Sequence, residues 1–180
     1  MSEFYTGTGD EGKTGILSDK RLSKSDSIIE AIGTVDELNS YLGVVYINTT
    51  DPYIKEAIST IQNDLFVIGA NLASLSDGRI EKADLQDSKL KLIEAFIEKL
   101  GREIPPLKEF VIPNGCSGAV HMHVARSIAR RMERSIVRAS LQYNLDKSLT
   151  SYANRLSSVF FTAALYLNHK EGIVEKHPTY

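Results

Sequence analysis

The chain has 180 residues, 42% of them hydrophobic and 24% charged, the composition of one soluble globular domain able to bury a core without staples. A net charge of −2 gives no general reason to expect nucleic acid, no apolar run reaches membrane-spanning length, and the N-terminus lacks a signal-peptide core. The single cysteine, Cys116, excludes an intramolecular disulfide framework and fits a reducing cytoplasm.

Residues Gly7 to Thr14 read GTGDEGKT. Gly7, Gly12, Lys13 and Thr14 satisfy the P-loop spacing, and Gly7, Gly9 and Gly12 satisfy the dinucleotide spacing. Both patterns let backbone N–H groups crowd around a phosphate. Neither has its required context. A P-loop follows a buried strand and opens a helix, and here only Met1 to Thr6 precede the first glycine. The following GILSDKRLSKSD has loop chemistry, so residues 1–24 are expected to form a solvated N-terminal arm.

The rest of the chain reads as helix almost throughout, as a single domain over 1–180. Ser25 or Asp26 caps a first helix to about Asn48, with Ile28, Ile29, Ile32, Val35, Leu38, Leu42 and Val45 at helical spacing. Gly33 and Gly43 weaken it, which suggests a packing or ligand reason for each. Asp51 and Pro52 start a second helix that runs to about Leu75, with its stripe on Ile54, Ala57, Ile58, Ile61, Leu65, Ile68 and Leu72. A third helix spans about Leu85 to Leu100 and stops at Gly101. Pro105, Pro106 and Pro113 then forbid helix, and the FVI between them reads as a short extended piece. A fourth helix runs from Ser117 or Gly118 to about Tyr143, and a fifth from Asp146 to Lys170. Five amphipathic segments with short connections predict an all-α, antiparallel five-helix bundle.

The fourth helix carries the second signal, HMHVARSIARRMERSIVR. At about 100° per residue, Arg126, Arg130 and Glu133 share one face, flanked by Arg131 and Arg134. Val124, Ile128, Met132 and Ile136 fall opposite as the core stripe. Arg126, Arg130 and Arg134 stand four apart and repel one another unless an anion lies between them. A solvated face is the ordinary reading of such a run, but the guanidinium fork suits phosphate oxygens, and the glycine–threonine arm adds to it. No Glu-x-x-His pair of the di-iron type occurs. His121 and His123 lie two apart on a helix and cannot grip one metal; one packs and the other caps or faces a neighbour. No local pattern suggests a covalent nucleophile, so the site looks built for binding and positioning.

Several segments together resemble one family, the ATP:cob(I)alamin adenosyltransferases of the propanediol-utilisation type. They are YTGTGDEGKTG, RLSK, EAIGTVDELNSYLG, IQNDLFVIGANLA, FVIPNGCSGAVHMHVARSIARRMER and YANRLSSVFFTAA, in family order and covering nearly the whole chain. The resemblance implies a homotrimer with each active site between two subunits. It implies transfer of the 5′-deoxyadenosyl group of ATP to the cobalt of cob(I)alamin, releasing tripolyphosphate. It assigns the triphosphate to Thr6, Gly7, Thr8, Gly9, Thr14, Gly15 and Lys24 of the arm. It assigns Arg130, Arg131, Glu133, Arg134 and Asn154 to the nucleotide, Glu133 partly through Mg²⁺. Asp36 is similar to a family acid that pairs with Arg126 across a subunit boundary, and Phe110 to an aromatic that closes the lower face of the corrin. A corrinoid reductase is an implied partner, and neither nucleic acid nor membrane is.

Each implied role has a chemical reason. Cob(I)alamin is itself the nucleophile, so the protein needs none. In-line attack at C5′ is a positioning task. The departing tripolyphosphate is highly anionic, which Arg, Lys and Mg²⁺ stabilise. An apolar Phe110 that excludes the lower axial ligand eases reduction from cob(II). In the residues alone the plain readings stand beside these: Phe110 as core, Asp36 with Arg126 as a structural ion pair, Asn154 as a surface amide. The family usually has Gly-Gly after the proline where this chain has Asn114-Gly115; Asn tolerates φ > 0 better than most residues. Two other function classes fit the letters, a P-loop-like phosphotransferase or ATPase and a non-catalytic nucleotide-binding helical protein.

Overall fold

Aspartates set three of the five helix starts. The computed structural model describes residues 5, 7–16, 18–75, 85 and 87–179. Its elements are β1 (Lys13–Ile16), β2 (Ser18–Ser23), α1 (Ser27–Ile47), α2 (Pro52–Ser74), α3 (Asp87–Glu103), α4 (Ser117–Ser140) and α5 (Lys147–Lys170). Asp26 accepts from the Ile28 N–H at 2.9 Å, Asp51 from those of Tyr53 and Ile54 at 2.9 and 3.0 Å, and Asp146 from that of Ser148 at 2.8 Å. Each bond satisfies an N–H that the helix itself leaves open.

Two of these caps also join helices. The Tyr143 hydroxyl donates to Asp26 at 2.9 Å, tying the end of α4 to the start of α1. The Tyr166 hydroxyl donates to Asp51 at 3.2 Å, tying α5 to α2. Burial, then the Asp51 charge, pushes the Tyr166 phenol up to about 12.

Within the bundle α5 packs between α3 and α4, and α1 between α4 and α2. The expected stripes supply one core, including Ile28, Leu38, Leu42, Ile54, Ile58, Leu65, Ile68 and Leu72. Inside it Asp64 of α2 accepts from the Tyr152 hydroxyl at 2.7 Å and pairs with Lys89 Nζ at 2.9 Å. A buried carboxylate needs both partners. No helix among the described residues is long and apolar enough to cross a membrane.

The structure corrects five local expectations. The arm is not all loop: β1 and β2 pair antiparallel, with Thr14 opposite Leu22 and Gly15 opposite Arg21. Tertiary pairing overrides the polar sequence there, and Leu22 packs against the core. α3 starts at Asp87 and runs through Gly101 to Glu103, because Pro105 is what ends it. α4 ends at Ser140, short of Tyr143. Val124, expected in the core, is exposed, while Ala125 and Ala129 take buried positions. For Gly33 and Gly43 the packing half of the expected reason is missing among the described residues, since a methyl at either would meet nothing there within 4 Å.

Candidate functional site

Helix α4 serves two separate recesses. The first is an open cleft of about 330 Å³ lined by Arg130, Glu133, Arg134 and Val137 of α4 and by Asn154 of α5. Positions 130, 133, 134 and 137 share a face because three and four residues make one helical turn. Asn154 Nδ2 donates to Glu133 Oε1 at 2.7 Å, and Arg134 Nη1 donates to the Arg130 carbonyl at 3.0 Å. Two guanidiniums against one carboxylate leave the cleft net positive, which suits a polyanion.

The second recess, of about 550 Å³, lies between α4, α5 and the segment before α4. Leu107, Phe110, Val111, Pro113, His123, Arg126 and Phe161 are among the residues that line it. Phe110 is 81% exposed on its rim, so the plain reading of this aromatic as core does not hold. The Arg126 guanidinium carbon lies 5.4 Å from the Phe161 ring centre, and the His123 ring 6.2 Å from it. Burial lowers the His123 pKa, and Arg126 adds to the effect, while Glu175 opposes it. Of the two histidines read as packing or facing a neighbour, His123 packs and His121 meets the Tyr41 hydroxyl at 2.8 Å.

A strap holds the segment that carries Phe110. The Ile112 N–H donates to the Lys176 carbonyl at 2.7 Å, and His177 Nδ1 lies 2.9 Å from the Phe110 carbonyl. Buried Asn168 accepts from the Cys116 N–H and donates to the Asn114 carbonyl, both at 3.0 Å. Gly115 takes the left-handed conformation of this turn at φ 126°, and no non-glycine among the described residues has positive φ. Asn114 therefore does not need the tolerance expected of it.

The arm is a self-contained loop on the hairpin. Gly7 and Gly12 have φ of 68° and 75°, at two turns closed by Asp10 N–H to the Gly7 carbonyl and Gly12 N–H to the Gly9 carbonyl, each 3.2 Å. Lys24 returns its N–H to the Gly12 carbonyl at 2.8 Å, and its ammonium closes over Gly9, 3.2 Å from where a Cβ would stand. Thr14 Oγ1 donates to the Gly15 carbonyl at 3.2 Å, so both sit on β1. Arg21 donates to the carbonyls of Thr8 and Lys13, the latter at 3.0 Å. Thr6 lies outside the described residues.

Of the expected site residues, the structure brings Arg130, Glu133, Arg134 and Asn154 together. The other described ones lie away from that cleft. Arg126 faces the second recess despite sharing a helical face with Arg130. Arg131 turns to α1, where it pairs with Glu37. The hydrogen bond to Glu37 raises the Arg131 pKa further. Asp36 is exposed on α1 and makes no ion pair with Arg126 within the described chain. None of the described arm residues lines the cleft at Arg130. Sequence reasoning missed Arg21, Glu94, Arg155 and Phe161. Arg21 and Arg155 lie inside the RLSK and YANRLSS segments, but only the fold shows what they hold.

A family model described as cobalamin adenosyltransferase matches residues 4–167. A corrinoid adenosyltransferase of Citrobacter freundii is 38% identical, the match covering 91% of this chain and 94% of that one. One from Bacillus subtilis (strain 168) is 35% identical over 95% of this chain and 89% of that one. The fold superposes with a TM-score of 0.94 on a variant PduO-type ATP:corrinoid adenosyltransferase from Lactobacillus reuteri complexed with cobalamin and ATP. That structure is 32% identical and covers 99% of this chain and 100% of its own.

Proposed function

The chain belongs to the cobalamin adenosyltransferase family, and we propose that it transfers the 5′-deoxyadenosyl group of ATP to the cobalt of cob(I)alamin, giving adenosylcobalamin and tripolyphosphate. The observation that carries this reading is the pairing of a net-positive cleft at Arg130, Arg134, Glu133 and Asn154 with a neighbouring recess rimmed by Phe110. One suits a triphosphate, the other a large apolar ring face.

Cob(I) supplies both electrons of the new Co–C5′ bond as C5′–O breaks, and tripolyphosphate leaves with the C–O pair. Cobalt ends as an alkylated Co(III). The chain needs no nucleophile; it holds ATP in line and steadies the leaving charge. Arg130 and Arg134 face that charge. Glu133 fits Mg²⁺ that arrives with the nucleotide, because Mg²⁺ takes one or two carboxylates and completes its shell with phosphate and water. Among the described residues only one Glu133 oxygen is engaged, by Asn154. Mg²⁺ would neutralise part of the phosphate charge there.

Gly7, Thr8, Gly9, Thr14, Gly15 and Lys24 wrap the triphosphate, together with Thr6. Since none of the described ones reaches the cleft of its own chain, the arm serves the cleft of a second copy, in a homotrimer. Asp36, without an ion partner within the described chain, pairs across that boundary with Arg126. Arg131 then contacts the nucleotide from beside its Glu37 pair. Phe110 caps the lower corrin face, which favours reduction to cob(I) by a corrinoid reductase. A cytoplasmic setting fits this chemistry, since cob(I) persists only where reductants maintain it, and Cys116 is a free thiol.

The test is an anaerobic incubation with cob(I)alamin and Mg-ATP. Adenosylcobalamin and tripolyphosphate in equal amounts are expected. ADP without a new cobalt–carbon bond sinks the proposal, and light scattering at other than three chain masses sinks the trimer.

A further inference from the structure

A chain of hydrogen bonds crosses three helices and ends in the cleft. Glu94 Oε1 of α3 accepts from Arg155 Nε of α5 at 2.7 Å. Arg155 Nη1 donates to Asn154 Oδ1 at 3.0 Å. Asn154 Nδ2 donates to Glu133 Oε1 of α4 at 2.7 Å. An asparagine amide can be turned over at little cost in shape, exchanging its acceptor for its donors. Here it cannot. A guanidinium only donates and an ionised carboxylate only accepts, so a turned amide would set donor against donor and acceptor against acceptor.

From this geometry we infer that Arg155, anchored by Glu94, is a positioning residue that fixes the Asn154 amide with its N–H groups toward Glu133 and the cleft. The inference rests on the reading that Asn154 meets the nucleotide. One Nδ2 hydrogen engages Glu133 and the other remains for the ligand. Glu133 is thereby held beside Arg130 and Arg134. Arg155 does not line the cleft, and Glu94 balances its charge, so it adds little to the field that attracts a polyanion. Nor is the pair a stability device. Its side chains are 41% and 40% exposed, and ion pairs so open to water contribute little to folding. What remains is orientation. Arginine alone suits it, because one planar fork bonds Glu94 through Nε and Asn154 through Nη1, which a lysine ammonium on a flexible stem does not reproduce.

The experiment is a thermodynamic cycle on Mg-ATP binding by the full-length chain, read by calorimetry for wild type, Arg155→Ala, Asn154→Ala and the double variant. Arg155→Ala is expected to weaken ATP binding about tenfold, the scale of one oriented hydrogen bond to a ligand. The double variant should bind no more weakly than Asn154→Ala, since Arg155 acts through that amide. Arg155→Lys should stay impaired. Glu94→Ala should shift affinity the same way and serves if Arg155→Ala does not fold. Additive losses, full rescue by lysine, or wild-type affinity in Arg155→Ala overturns the assignment. If wild type binds ATP but forms no adenosylcobalamin, the transferase reading fails and the positioning role stands or falls on the cycle alone. If wild type does not bind ATP, both fail.

Discussion

Gly115 faces Asn168 so closely that a methyl on its Cα would lie 1.9 Å from Asn168 Oδ1. That contact exists because Asn168 spans the turn, accepting from the Cys116 N–H and donating to the Asn114 carbonyl. It takes the place of a capping side chain, since Cys116 makes no side-chain cap bond at the start of α4. Gly115→Ala adds the clash to an unfavourable φ of 126°. We expect it to cost about 2–3 kcal/mol, seen as a lower urea midpoint at unchanged slope. Asn168→Ala should cost about 1–3 kcal/mol by stranding buried polar groups. The double variant should lose less than the sum, because both changes disrupt one turn. Full additivity would mean that the two residues do not act together.

Phe110 offers a separation of folding from function. At 81% exposure it adds almost nothing to the core. Phe110→Ala is therefore expected to leave stability within about 0.5 kcal/mol, while adenosylcobalamin formation falls by at least tenfold. A melting temperature several degrees lower would instead make the ring a structural contact.

Arg130 should behave as a group that meets developing charge. Arg130→Ala is expected to lower turnover about 10²–10³-fold, the scale of losing one donor to a transition-state anion. The circular dichroism spectrum should not change, because the side chain is exposed. Turnover equal to wild type would make the arginine run a solvated face.

His123 predicts a pH dependence of stability. Burial holds its folded pKa below the ordinary value, so the unfolded chain binds the proton more readily. Stability should therefore be fully present above about pH 6.5 and fall as pH drops below it. His123→Gln should flatten that part of the profile, measured as thermal midpoint between pH 5 and 8. An equal slope in wild type and variant would show that other groups carry it.

Much of this arrangement is legible in the letters, for local reasons. Asp26, Asp51 and Asp146 cap helices because a short carboxylate reaches the open N–H groups of the next turn wherever it stands ahead of an apolar repeat. The 3.6-residue period places the inward faces of α1 and α2 and most of that of α4, and it sets Arg130, Glu133 and Arg134 on one side. The glycines at 7 and 12 mark left-handed turns by their own chemistry.

Other features depend on partners far along the chain. A helical wheel cannot tell that Arg126 leaves its neighbours for Phe161, because that depends on where α5 passes. Arg131 meets Glu37 across a separation of 94 residues, and Arg155 reaches Glu94 across 61. The hairpin forms despite polar strands, since its strands pair with each other and Arg21 donates to the Lys13 carbonyl. Periodicity and caps are properties of neighbours within a turn, so composition and order alone determined the five helices and the basic face. Which of those charges is neutralised, which faces a cleft and which amide is held in one orientation are contacts between elements, and only the packed bundle decided them.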